Sequence, residues 1–427
     1  MIIDTPKDLK RPLFTTRIGD GLESLSWSEA ARWLIHVHAF DPAGLRSGAL
    51  GDPRRNPNGT TPPNGPGWAG QLGTTYVTSN SLLKTMLLNV VPASFLPASI
   101  VDAETDVAPW ELTAPTSQCS ETSSSPTGPV YCLTWQSRRV LLIGDDVHVT
   151  GLFLGNGTKT SPQNLQTVET MSSWRRSAAQ EKKLRLPSVF MPVGHKSDVA
   201  FWRSLPSLIP QLNDSDIIPP AIIVFYRELM RRRLVPRAGI IPVHAVGISY
   251  DPPDKKTNVV ELIDDVLSLP AGLFNPENTR LLAVVHDAME ETDKVADALW
   301  GLARDLDRAR GGSSDTGKGA GRQAAAAFYQ VIDERFPRWL ASLDEADPVR
   351  ARDQWRRLLR SEAWGQQEAL ASAAPDTAFA GRGEGKGRMD VGKALFFFRR
   401  ALNVAVPAPA QQDSIAENNM NEERTPA

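Results

Sequence analysis

Long apolar runs are missing from this sequence. Nowhere in its 427 residues do apolar side chains follow one another for the about 18 positions that a membrane helix needs. Residues 1–10 hold no apolar core followed by small residues, so no secretory signal is read there. The cytoplasm is the expected compartment, and no membrane partner is expected. Cysteine is nearly absent, with only Cys119 and Cys132 in a polar, Ser/Thr-rich stretch. One pair without a secretory context is no disulfide scaffold, and no second Cys or His pair stands at ligand spacing to complete a zinc site. An excess of either charge is lacking too: 47 Lys and Arg face 49 Asp and Glu. That balance excludes the global electrostatic footprint of a nucleic-acid binder, so any contact with DNA must run through local patches.

What remains is an ordinary globular composition, 41% hydrophobic and 22% charged, on a chain long enough for two or three domains. Ser26 followed by Glu29 reads as a capping box. Ala30, Trp33, Leu34 and Val37 then recur at helical spacing until Asp41-Pro42 ends the helix. Residues 43–73 are rich in Gly, Pro and Asn, and a loop of that length in a compact domain is usually functional or disordered. Residues 81–91 read as a short helix burying Leu82, Leu83, Met86 and Leu87. Residues 115–129 read as a surface insertion. Strand signals follow at 130–136, 139–143 and 147–154, with Gly144-Asp145-Asp146 as a turn. A second hairpin joins 243–250 to 257–263 across a polar, projecting tip, Asp251-Pro-Pro-Asp-Lys-Lys256.

From Asn275-Pro276 onward the pattern is helical. Leu281, Val285, Ala288, Thr292, Val295, Leu299, Leu302 and Leu306 form one stripe with spacings of three and four. Residues 311–321 read as a Gly-rich loop, and Phe328, Ile332, Phe336, Trp339 and Leu343 mark a second helix. Asp347-Pro348 starts a third carrying Trp355, Leu358, Leu359 and Trp364, and residues 389–404 form a fourth. The expected fold is α+β: a mixed α/β N-terminal domain with β-hairpins over 1–274, a four-helix bundle over 275–405, and a disordered tail over 406–427.

The sharpest motif match is Gly312-Ser-Ser-Asp-Thr-Gly317-Lys318, half of a phosphate-binding P-loop. The next residue is Gly319 where that motif holds magnesium with Ser or Thr, and a helix rather than a strand precedes it, so an interhelical linker is the preferred reading over a nucleotide hydrolase. The run 381–387 reads as a further loop. His36 and His38, two apart on a helix, point to different faces and do not share an ion. His286, Asp287, Glu290 and Glu291 read as a solvated helix face. No nucleophile elbow and no oriented Cys–His pair stands out, so no catalytic residue, metal or cofactor is assigned. Arg175, Arg176, Lys182, Lys183 and Arg185 form either a phosphate-contacting strip or a solvated surface. Lys255 and Lys256 at the hairpin tip are read the same way, a hairpin being a shape that can enter a groove or wedge a base step. Arg231-Arg232-Arg233 closes a helix whose C-terminal dipole favours cations.

Several segments, taken in order, resemble the CasA family, the large subunit of the type I-E CRISPR surveillance complex Cascade. They include Ser28-Glu-Ala-Ala-Arg-Trp33, Ala39-Phe-Asp-Pro-Ala-Gly44 with Ser47-Gly48, Gly51-Asp52-Pro53, Gly67-Trp-Ala-Gly70 and Leu87-Leu-Asn89. Trp174-Arg-Arg-Ser177, Gln180-Glu-Lys-Lys183, Met191-Pro192 with His195, Phe201-Trp-Arg203, Val246-Gly247 with Tyr250, and Asp264-Asp265 continue the series. The resemblance implies a non-catalytic subunit that reads the protospacer-adjacent motif (PAM) on target double-stranded DNA, helps open the duplex for crRNA pairing, and recruits the CRISPR helicase-nuclease. Its implied partners are the other Cascade subunits, crRNA, target DNA and that nuclease. Guide pairing then carries most sequence information, which leaves the protein a short motif and backbone contacts. By the same resemblance Phe14 and Thr16 match a loop that contacts crRNA and the complex, where the family carries Asn at the position of Thr16. Gly44, Arg46, Ser47 and Gly48 match the glycine loop facing the PAM, and Lys182 or Lys183 the lysine of the minor groove. Pro252, Pro253, Lys255 and Lys256 match the wedge hairpin, whose tip often carries Gln in the family and has none here. Residues 1–10 align to the interior of the family pattern, so a shortened N-terminus is expected. The alternative in another class is a structural interaction subunit without DNA recognition.

Overall fold

The computed structural model describes residues 23–96, 105–113, 116, 125–209, 212, 216–251, 255–343 and 346–407. The chain divides into two compact units, Met1–Phe274 and Asn275–Ala427. In chain order the first holds β1 (Leu25–Ser26), α1 (Trp27–Phe40), β2 (Arg46–Ser47), β3 (Thr60–Thr61), β4 (Thr74–Val77), α2 (Leu82–Asn89), α3 (Pro129–Leu133), β5 (Arg138–Gly144) and β6 (His148–Asn156). It continues with β7 (Trp174–Arg176), α4 (Ala178–Leu184), β8 (Phe190–Pro192), α5 (Leu205–Leu208), β9 (Ile217–Ile218), α6 (Ala221–Arg231), β10 (Ile240–Asp251) and β11 (Asn258–Pro270). The second unit holds α7 (Thr279–Arg310), α8 (Ser314–Ala341), α9 (Pro348–Ser372), α10 (Asp376–Ala380) and α11 (Val391–Ala405). The class is α+β. No helix among the described residues is long and apolar enough to cross a membrane.

Small antiparallel sheets build the first unit, in the orders β1-β6-β5, β11-β10-β4, β8-β7-β9 and β2-β3. The two hairpins read from the sequence are present as β5–β6 and β10–β11, the latter with a bulge at Ser249/Tyr250. Ser26 caps α1 by accepting the Glu29 amide, and Leu25, Ala30 and Val149 bury together with Trp33 and Leu142 against them. Around Trp174 a separate core gathers Cys132, Leu165 and Val168. The Cys132 thiol is free, and burial pushes its pKa well up; Cys119 lies outside the described residues.

Three local expectations fail, two of them for reasons a local pattern does not contain. Residues 130–136 were expected as a strand, but Pro129–Leu133 is helical. Pro129 starts it, and the Asp106 carboxylate accepts the amides of Val130 (3.2 Å) and Tyr131 (2.9 Å) from 24 and 25 residues upstream. A distant acid thus caps the turn. The helix at α2 forms with Ser81 as N-cap, yet its expected inner face is the outer one: Leu82, Leu83, Met86 and Leu87 are 57–77% exposed. The half-buried face carries Thr85, Leu88 and Asn89. Asn89 donates to Val77 O (2.7 Å) and accepts from Val77 N (2.9 Å), pairing groups on the edge of β4 that no strand reaches. Residues 43–73, expected as one loop, contain the β2–β3 pair.

In the second unit α7 packs against α8, α9, α10 and α11. Every residue of the predicted stripe from Leu281 to Leu306 is buried. Asp347 caps α9 with Pro348 at its first position, as the sequence indicated. Residues 311–321 are not a loop. Gly311 ends α7 with φ 99°, Ser313 caps α8, and helix runs from Ser314 onward. Nor is Glu291 solvated: it is 5% exposed and accepts Arg352 (2.6 Å) and Arg356 (2.5 Å). Trp355 is fully buried, donating to Thr292 Oγ1 (3.1 Å), with Phe336 edge-on and Trp339 tilted against its ring. Replacing a buried indole leaves a large cavity, so Trp355→Ala should cost about 3–5 kcal/mol. A urea titration checks this as a lowered midpoint at unchanged m-value.

Candidate nucleic-acid interface

The helix α1 ends at Asp41 because Pro42 disfavours helical geometry in the residue before it; Asp41 has φ −56° and ψ 129°. Its carboxylate is thereby turned to meet two arginines. Arg138 Nε donates to Asp41 Oδ2 at 2.5 Å, and Arg46 Nη2 to the same oxygen at 2.8 Å. The Arg138 side chain is wholly buried. Its remaining donors reach Asn64 Oδ1 (3.0 Å) and the carbonyls of Ser137 (2.9 Å), Asp41 (3.0 Å), Pro42 (3.2 Å) and Gly65 (3.0 Å). One guanidinium therefore joins the end of α1, the start of the following loop, the 64–65 turn and strand β5. Burial pulls the Arg138 pKa down and Asp41 opposes that shift.

The loop carrying Gly44, Arg46, Ser47 and Gly48 grows from this junction. Arg46 folds back over Gly44, donating to Pro42 O (2.7 Å) as well as to Asp41. A Cβ on Gly44 would stand 2.6 Å from Arg46 Nη1, and one on Gly48 2.7 Å from Arg55 Cγ. The glycines make room for the chain's own arginines. Arg54 pairs with Asp52 (3.0 Å) and donates to Asn156 O (3.0 Å), which fixes the far side of the loop to the end of β6. Outward it presents Ser47 together with Leu45 and Leu50, which are 59% and 83% exposed.

The hairpin β10–β11 reaches the same place from more than 200 residues away. Tyr250 Oη donates to Phe40 O (2.8 Å, 210 residues apart). The Lys256 carbonyl accepts the Ala43 amide (2.8 Å), and its ammonium donates to Gly70 O (3.3 Å). Lys256 adopts φ 53°, and burial lowers its pKa. The lysine expected at a projecting tip is thus turned inward, while Lys255 is exposed. Pro252 and Pro253, like Phe14 and Thr16, lie outside the described residues. So the structure brings the glycine loop and the hairpin end together, as two parts of one surface.

Lys182 and Lys183 are on another sheet's helix. They occupy the last turn of α4, exposed, and neither forms an ion pair with a described residue. Beside them Arg176 pairs with Glu181 (2.7 Å). Arg231 and Arg232 both hold Glu228 (2.6 and 2.5 Å), whose carboxyl is pulled down to about 2. No described hydrogen bond or ion pair links α4 to the glycine loop. In the second unit, His286, Asp287 and Glu290 bring donor atoms within 4.8 Å of one another, but Arg352 (2.6 Å) and Lys294 (2.7 Å) already hold the two carboxylates. The P-loop-like segment is the N-terminus of α8. Asp307, buried, occupies the space beside Gly312 and accepts Thr316 Oγ1 (2.7 Å), so a carboxylate stands where a phosphate would need a cation.

The family model described as CRISPR-associated protein Cse1 (CRISPR_cse1) matches residues 1–366. The chain belongs to the Cse1 family. It is similar to the crystal structure of Thermobifida fusca Cse1, at 31% identity and a TM-score of 0.78, over 92% of this chain and 73% of that one. The structure of Thermus thermophilus CasA (Cse1) shares the fold at 19% identity and a TM-score of 0.63, over 89% of this chain and 72% of that one. A chain of a CRISPR RNA-guided surveillance complex does so at 13% identity and a TM-score of 0.61, over 95% and 74%. No curated protein sequence matches the chain.

Within this Cse1-family chain the residue the sequence reading missed is Arg138. Its signal is an arginine pair, Arg138-Arg139, opening an otherwise apolar strand. Removing one partner of a buried ion pair leaves an uncompensated charge and costs about 3–5 kcal/mol. Asp41→Asn leaves the wholly buried Arg138 without its carboxylate and should destabilise the first unit by that amount, read by denaturant unfolding. His38 gives a pH test. Burial, then the charges of Arg138 and Arg139, lower its pKa to about 4 from 6.5. The unfolded chain therefore takes up the proton first. Stability is complete above pH 6.5 and falls toward pH 4, by at most about 3 kcal/mol. His38→Leu should flatten that slope in pH-dependent melts.

Proposed function

We propose that this chain is the large, non-catalytic subunit of a crRNA-guided Cascade complex, which reads the PAM on double-stranded DNA, helps open the duplex and recruits the helicase-nuclease. One observation carries the reading furthest. The glycine loop and the end of the β10–β11 hairpin, matched separately to PAM-reading and wedge elements, are fastened together through Ala43, Lys256 and Gly70. Membership of the Cse1 family and the shared fold with a chain of an RNA-guided surveillance complex support it. Ser47 and the backbone of Gly44 are then the PAM-facing groups, because a glycine loop lets a backbone amide approach a groove closely; Gly48 shapes the loop, its amide being held by Gly59 O (2.9 Å). Arg46 acts by holding the loop to Asp41, and Lys256 by holding the hairpin to the loop. Lys182, Lys183 and Lys255 supply exposed charge for phosphates, and Pro252 and Pro253 the wedge. Phe14 and Thr16 contact crRNA and neighbouring subunits. The cytoplasm is where such a complex meets DNA.

Reconstituting the complex with the other subunits, crRNA and a PAM-containing duplex tests this. Omitting the chain or scrambling the PAM should weaken binding, and equal affinity in all cases would refute the reading. The pair Lys182→Ala and Lys183→Ala should lower the salt dependence of log K by about two, one per lost phosphate contact, without changing which PAM is preferred. A second reading has its own observation: Arg46 and Lys256, two of the cations matched to DNA, are engaged inside the protein. A structural subunit without DNA recognition would assemble normally and show no effect of the lysine substitutions.

A further inference from the structure

Three arginines stand on or beside the glycine loop, and carboxylates of the chain hold two of them. Arg46 pairs with Asp41 (2.8 Å) and Arg54 with Asp52 (3.0 Å). Arg55 is different. It is exposed, and its guanidinium donates no hydrogen bond to a described residue and pairs with no described carboxylate.

The structure nevertheless gives Arg55 a fixed place. The Gly48 amide donates to Gly59 O (2.9 Å), which extends the β2–β3 ladder one rung past the Ser47–Thr60 pair. Inside the closed turn between them, the Arg55 amide donates to Asp52 O (3.0 Å). Asn56 donates its own amide to Thr60 O (2.9 Å) and accepts the Thr60 amide on Oδ1 (3.0 Å). The backbone is thus held on both sides of Arg55, and the side chain runs back across the last rung. A Cβ on Gly48 would stand 2.7 Å from Arg55 Cγ, and one on Gly59 3.2 Å from Arg55 Nη2. The stem lies on one glycine and the guanidinium on the other. A side chain laid in such a track loses less freedom on binding than a loose surface arginine does.

Place and chemistry together select a ligand. An unpaired guanidinium presents a planar fork of donors that matches phosphate oxygens. The Gly48–Gly59 rung is about 3.3 Å from the rung of Ser47, close to the rise of one nucleotide, about 3.4 Å. We propose that Arg55 holds a backbone phosphate of the target DNA beside the PAM, and that Gly48 and Gly59 position it. This rests on the PAM-reading function proposed above and adds to it a contact of another kind. A phosphate contact carries no sequence information but fixes register. Ser47 and Gly44 face the motif, and Arg55 sets where along the duplex they meet it.

Binding of the reconstituted complex to a PAM-containing duplex, followed over a range of salt concentrations, tests this. Arg55→Gln should weaken binding about five- to tenfold. It should lower the salt dependence of log K by about one, with the same PAM preferred. Gly48→Ala keeps the charge but puts a methyl where the stem lies, so it should weaken binding and add little to Arg55→Gln in the double variant. Duplexes carrying one uncharged methylphosphonate each name the phosphate: one linkage near the PAM should cost the wild type what Arg55→Gln costs, and cost the variant nothing more. An unchanged salt dependence, an altered PAM preference, additive effects of the two substitutions, or no linkage to which the variant is indifferent overturns the proposal. Arg55 is exposed, so its variant keeps the fold, which an unchanged melt checks. The wild-type complex separates the two failures. Equal wild-type affinity with and without a PAM removes the function and this contact with it, whereas PAM-dependent binding that Arg55→Gln leaves intact removes the contact alone.

Discussion

A single buried guanidinium holds the first unit's glycine loop in shape. Arg138 can be buried only because every one of its N–H groups finds an acceptor and one carboxylate balances its charge. A buried pair of this kind adds little to net stability against an apolar substitute, but it is directional, and a methyl-lined core is not. Here the direction matters. The acceptors include backbone carbonyls at the end of α1 and at Gly65, so satisfying the arginine fixes where the glycine loop leaves α1 and ties that point to the 64–65 segment. Arg46 repeats the device on the loop itself by sharing the same Asp41 oxygen.

Much of the architecture was legible in the sequence because it is written in local signals. The cap at Ser26, the stop at Asp41-Pro42, the turn at Gly144-Asp145-Asp146 and the stripe from Leu281 to Leu306 all stand where propensity and periodicity put them. The failures share a physical cause, a partner far away in the chain. Asp106 caps a helix 24 residues on, where alternation suggested a strand. Asn89 turns α2 over by pairing with the edge of β4, although its leucines suggested the opposite face. Glycines at 317, 319 and 321 sit in a helix because Ser313 caps it and α7 gives it a surface to pack on.

The candidate site was half legible. Glycine loop, basic helix and hairpin are present as separate elements, but which cations remain available is a tertiary fact. Arg46 and Lys256 hold the scaffold to itself, whereas Lys182, Lys183, Lys255 and Arg139 have no carboxylate partner among the described residues. A charge count over the sequence treats all six alike. The P-loop-like segment teaches the same lesson from the other side: its spacing is respectable, yet Asp307 brings to it the one chemical group that repels a phosphate.

The bonds that close the site span long stretches of chain: Phe40 with Tyr250, Gly70 with Lys256. Contacts of such separation are slow to form, because loop closure must precede any reward from them. As the chain leaves the ribosome, α1 and the glycine loop emerge long before the hairpin that completes their surface. The loop therefore waits, held first by Arg138 and only later by Lys256. The surface shared by the loop and the hairpin is then the last part of the first unit to mature, and a nascent chain stalled before the hairpin would carry the loop in place with its second fastening still missing.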